Sequence, residues 1–167
     1  MPALPKPQYS RLVNRSPVYY GWVILGVSTL GLIMTSAGQT YGVSIFLEYF
    51  IIDLGLSRSM VSTLYTVGTL LGSLALPVVG RYIDQHGLRR VFIVVTILFG
   101  VVCIYMGSIQ NAVMLGIGFT GLRMLGQGSL YLVCLNAINR WWVRRRGLAI
   151  GVSGLVASLI GVGIFPA

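Results

Sequence analysis

The sequence predicts an all-α, polytopic transmembrane helix bundle. First, 56% of its 167 residues are hydrophobic and only 9% are charged, with mean hydropathy +0.86. A soluble domain carries roughly 25% charged residues, so lipid must solvate much of this surface. Second, residues 16–47 and 91–122 hold no charge at all, and a spanning helix needs about 20 mostly apolar residues. Third, the basic residues gather in the segments that five alternating spans would place on one side.

The elements follow in chain order. Residues 1–16, with Pro2, Pro5, Pro7, Lys6, Arg11 and Arg15, show no apolar periodicity and read as a basic cytoplasmic tail. A first span is expected at about 18–40, with an extension beyond it. Small residues at Ser36–Gly38 could serve a signal peptidase, but the apolar run exceeds a signal core. Glu48 and Asp53 mark a loop, and Ser57 suits the N-cap of a second span at about 58–79. A charged loop, GRYIDQHGLRR, fills 80–90. The polar break GSIQNA at 107–112 divides the next stretch into spans at about 91–108 and 112–138. RWWVRRRG at 140–147 ends the fourth, and a fifth fills 147–167. Residues 17–167 thus form one transmembrane bundle.

Lys6, Arg11, Arg15, Arg81, Arg89, Arg90, Arg140, Arg144, Arg145 and Arg146 are ten of the twelve basic residues, and all fall in the tail, the 2–3 loop or the 4–5 loop. The positive-inside rule then puts the N-terminus in the cytoplasm of a plasma (inner) membrane. The same rule accounts for the net charge of +9 without a nucleic-acid partner. Cys103 and Cys134 lie in apolar segments and read as packed free thiols. His86 has no companion for a metal or for acid–base work, and no cofactor is expected. With three acids and one histidine, all outside the spans, the chain is not expected to be an enzyme.

Polar residues recur at helical spacing within the spans. Ser59, Ser62, Thr66, Thr69 and Ser73 on the second, and Gly147, Gly151, Gly154, Ser158 and Gly161 on the fifth, each fall on one face. Both sets read as seams for close helix packing. The fourth span differs, because Thr120, Arg123, Gln127, Tyr131 and Cys134 form a stripe containing a full charge. Arg123 is about eleven residues into that helix, or roughly 16 Å, near the bilayer centre. A guanidinium there costs ~2.5–3.5 kcal/mol on the insertion scale, so it should face protein or a wet cavity. Two roles are open: hydrogen bonding to a broken helix or carbonyl in the bundle, or contact with solute. Ser28, Thr35 and Gln39 share a face of the first span near Gly38 and Gly42, and could line the same cavity.

Gly80-x-x-x-Asp84-x-x-Gly87-x-Arg89-Arg90 resembles the signature loop of the major facilitator superfamily, in composition and in position after the second span. Leu88 replaces the family's first basic residue. Arg123-Met-Leu-Gly126-Gln127-Gly128 is similar to the superfamily's arginine–glycine motif, with its glycines offset. Trp141-Trp142-Val143-Arg144-Arg145-Arg146-Gly147-Leu148-Ala149-x-Gly151 resembles the fifth-helix entry of monocarboxylate transporters. Tyr20-Gly21-Trp22 is similar to both that family and the oxalate/formate antiporters, although no acid precedes Gly21. The resemblance implies five of the six helices of a major facilitator N-terminal half, with the chain truncated before the sixth and a C-terminal half as missing partner.

The expected activity is secondary transport of a small solute by alternating access. A carboxylate anion is the expected solute because Arg123 offers it a bidentate partner, and the transport is expected to be coupled to a proton or an anion. Arg123, Gln127, Tyr131, Thr120, Gln39 and Thr35 are the candidate solute ligands. Gly80, Asp84, Gly87, Arg89 and Arg90 form a candidate conformational latch, with Asp84 accepting hydrogen bonds in one state and releasing them in the other. The rival readings are a same-fold transporter of a neutral or cationic compound with Arg123 structural, and a membrane assembly subunit or enzyme.

Overall fold

A computed structural model describes residues 20–164, and these are wholly helical apart from short turns. The basic tail and the last three residues lie outside the described residues. The helices are α1 (Tyr20–Met34), α2 (Thr40–Leu54), α3 (Arg58–Ser73), α4 (Leu76–His86), α5 (Leu88–Met106), α6 (Ala112–Gly121), α7 (Tyr131–Trp141) and α8 (Arg146–Ile164). Among the described residues, three helical runs are long and apolar enough to cross a membrane: 20–54, 58–86 and 88–106. The expected fourth and fifth spans are helical too, over 112–141 and 146–164.

The first span is not the single helix expected over 18–40. It breaks into α1, a tight 3₁₀ turn at Thr35–Gly38, and α2, with Gln39 extended (φ −81°, ψ 157°) between them. Close packing favours the break. A Cβ on Gly38 would stand 2.8 Å from the Leu122 carbonyl, so only glycine lets this turn press on the fourth helix. Glu48 and Asp53 lie on α2, not in a loop. The loop is Gly55–Ser57, where Gly55 takes the left-handed C-cap (φ 59°) and Glu48 reaches across to pair with Arg58. Ser57 is the N-cap, accepting from the Met60 N–H at 3.2 Å.

The charged segment 80–90 is also mainly helix. Pro77 opens α4, which runs through Gly80 and Asp84 to His86, and Arg89 and Arg90 sit in the first turn of α5. Gly87 (φ 81°) is the one non-helical residue between them. Charge alone marks where the chain meets water, whereas backbone hydrogen bonding decides where the helix ends. The polar break at 107–112 is a true turn, with Asn111 capping α6 through Met114 N–H.

Between α6 and α7 the fourth helix widens into a π-helical segment, Leu122–Leu130. This segment is the hub of the bundle and packs on α3, α4, α5, α6, α7 and the 3₁₀ turn. The seam on the second span is Gly68 and Gly72, not the predicted hydroxyls. Their hydrogens face the backbone of Phe119–Met124, while Ser59, Ser62, Thr66 and Ser73 are exposed. On α8 the buried line is Ala149, Ser153 and Gly161, and Gly147 and Gly151 face outward within the described residues. Thr29 on α1 donates to Ser153 Oγ at 3.0 Å, which fixes that pairing.

Candidate functional site

Arg123 is buried, 9% exposed, in the first turn of the π-helical segment. Its Nε donates to Thr69 Oγ1 of α3 at 2.9 Å. Its two terminal nitrogens reach the Gly38 carbonyl and Thr40 Oγ1, each at 3.4 Å. The guanidinium carbon stands 4.5 Å from the centre of the Tyr65 ring, and the Tyr65 hydroxyl donates to Thr40 Oγ1 at 3.1 Å. A ring face and three oxygen acceptors are what a desolvated guanidinium requires. Gly72 makes room for it: a Cβ there would be 3.2 Å from Arg123 Cβ.

The site therefore joins three distant parts of the chain. The 3₁₀ turn of the first span contributes a carbonyl left without a helical partner at the break. The second span contributes Thr69, and the fourth contributes the charge. Ordinary helical spacing does not carry through a π-helical segment, so the predicted stripe splits. Cys134 is fully buried against Gly31, Thr120 and Gln127 are half-buried, and Tyr131 is exposed. Thr120 bonds back to the Gly116 carbonyl of its own helix at 2.8 Å.

Three other candidates meet elsewhere. Thr35, Gln39 and Tyr131 line a groove of about 230 Å³ between the first, fourth and fifth spans, where Gly154 and Ser158 of α8 form the far wall. Arg123 does not line this groove, but the two places adjoin at the break, where Gly38 serves one and Gln39 the other. Sequence reasoning missed Thr40 and Tyr65 and assigned Thr69 to a packing seam. Thr69 carried a signal, since a hydroxyl on a neighbouring helix can accept from a buried guanidinium.

Asp84 is exposed on α4, with Arg89 and Arg90 exposed across the Gly87 turn. The same end of the bundle holds an aromatic cluster. Trp142 Nε1 donates to the Gly21 carbonyl at 3.1 Å, Trp22 stands edge-on to Trp142, and Tyr20 lies 5.2 Å from Trp141. Two motifs that are separate in sequence thus form one joint between the first and fourth spans.

The family model of the Major Facilitator Superfamily matches residues 29–167. The chain belongs to the major facilitator superfamily. It is also 28% identical over 150 residues to the oxalate:formate antiporter of Oxalobacter formigenes, covering 87% of this chain and 34% of that protein. The chain thus spans about a third of the length of the curated relative it matches. No solved structure matches it. Within this superfamily chain, the helix-one break, the π-helical segment and Arg123 are the polar centre of the N-terminal portion.

Proposed function

We propose that the chain is the N-terminal portion of a secondary transporter that carries a small carboxylate by alternating access. The observation that carries this reading is the uneven hold on Arg123. Nε is held at 2.9 Å, while the two terminal nitrogens have acceptors only at 3.4 Å. Those two nitrogens are the fork that a carboxylate grips bidentately, so a solute could replace the Gly38 and Thr40 oxygens at little cost. Losing the Gly38 contact would release the break in the first helix, coupling solute to a hinge. Gln39 and Tyr131 supply hydrogen bonds from the adjoining groove, while the buried Thr35 hydroxyl donates to the Leu32 carbonyl at 2.6 Å and shapes its wall. The relative named for oxalate and formate, both carboxylates, supports the same solute class.

In this reading all five helical spans cross the bilayer, the N-terminus is cytoplasmic, a second half closes the cavity, and transport is coupled to a proton or to an anion. Asp84 with Arg89 and Arg90 acts as the cytoplasmic latch. A second reading is favoured by the same geometry: Arg123 already has three acceptors and a ring, so it could be structural, with a neutral or cationic solute in the groove. Uptake of radiolabelled carboxylates and of their neutral amides by proteoliposomes holding a full-length transporter that contains this chain separates the two. Saturable uptake of carboxylates alone supports the first reading, and uptake of amides alone the second.

A further inference from the structure

A second large groove, among the described residues, lies away from the arginine site. It runs between α4 and α5, is floored by the π-helical segment, and encloses about 530 Å³, within the range of ~300–1,000 Å³ of small-molecule sites. Its walls are almost wholly hydrocarbon, with exposed Val78 on α4 and exposed Val94 and Leu98 on α5. One end differs. Arg90 and His86 line it there, and Tyr82 stacks on His86 with ring centroids 5.4 Å apart. Arg90 and Leu98 are eight residues apart on one helix, so the groove extends about 12 Å from its cation into the apolar layer.

We propose that this groove holds one acyl chain of an anionic phospholipid, with the phosphate at Arg90 and His86. A cation at the mouth of a hydrocarbon slot matches a lipid in both charge and shape. Arg81 on α4 and Arg89 in the first turn of α5 are also exposed, against the single acid Asp84, so the segment 80–90 that carries the mouth has a net positive charge. Basic pockets between spanning helices on the cytoplasmic side recognise anionic headgroups. The acyl chain passes from one hydrocarbon phase to another and gains little by burial, so the slot fixes position and the charge discriminates. This site stands apart from Arg123 and is independent of the solute reading.

The test is native mass spectrometry of a delipidated full-length transporter containing this chain, in detergent, titrated with phosphatidylglycerol or phosphatidylcholine of matched acyl chains. The first phosphatidylglycerol should bind about five-fold tighter, from roughly one interfacial arginine. Arg90→Ala should remove that preference, and Arg144→Ala, which takes the same charge from the same end outside the groove, should retain it. Val94→Trp, which fills the slot, should weaken the first site for both lipids. Should Arg90→Ala not survive purification, Arg90→Gln keeps the length and loses the charge, with the same expected loss. Equal binding of the two lipids, equal loss in Arg144→Ala and in the Arg90 variant, or unchanged binding in Val94→Trp would each overturn the proposal.

Discussion

Arg123 on the fourth span donates to the carbonyl of Gly38 at 3.4 Å, which joins a buried charge to the break in the first helix. The remaining hydrogen bonds of the guanidinium go to Thr69 and Thr40, so one side chain holds three spans together. Its burial is tolerable only while those acceptors stay in place.

Thr69→Val removes the acceptor at 2.9 Å and keeps the shape of the side chain. The Nε–H is then buried without a partner, at a cost of about 1–3 kcal/mol. Thermal denaturation in detergent should show a lower midpoint for Thr69→Val, whereas Thr69→Ser, which keeps the hydroxyl, should stay near the parent.

Gly72→Ala places a methyl 2.9 Å from the Met124 nitrogen, and Gly68→Ala places one 3.0 Å from the Thr120 nitrogen. Backbone cannot yield as a side-chain tip can, so α3 must move away from the fourth helix, at about 1–3 kcal/mol each. Gly151→Ala meets nothing within 4 Å. The expected result in the same denaturation assay is a drop for both α3 variants and none for Gly151→Ala.

Asp84→Asn tests the latch in a full-length transporter containing this chain. Asp84 is exposed and is not among the groups that hold Arg123, so membrane insertion and solute affinity should be unchanged while turnover falls. Initial-rate uptake against solute concentration measures this as a lower maximal rate at constant half-saturation. A rise in half-saturation with unchanged maximal rate would place Asp84 at the solute site instead.

The helical nature of the chain, the Ser57 cap and the polar turn at 107–112 were legible because apolar runs and capping residues are local signals, whereas the acids Glu48 and Asp53 suggested a loop where the helix continues to Leu54. Ser57 caps as its position suggests, and Asn111 within the polar break caps the next helix. The break at Gly38 was not legible, because what favours it is the Leu122 carbonyl, 84 residues away in sequence and pressed against the glycine. The π-helical segment hid in the same way: a stripe counted at four-residue intervals puts Tyr131 beside Arg123, but the wider turn carries Tyr131 to an exposed position. An arginine within an apolar stretch announced a polar centre, and only the tertiary packing named Thr40, Tyr65 and Thr69 as its partners.

Arg123→Lys tests carboxylate recognition most directly, because it keeps the charge and removes the fork. Equilibrium binding of radiolabelled mono- and dicarboxylates should be measured by scintillation proximity on purified full-length transporter, beside Arg123→Ala and the parent. Two parallel charge-assisted hydrogen bonds reduced to one predict at least a roughly ten-fold weaker affinity for Arg123→Lys, with no detectable binding for Arg123→Ala. Carboxylate binding by Arg123→Lys equal to that of the parent would contradict bidentate recognition and leave Arg123 as a structural tie to the helix break.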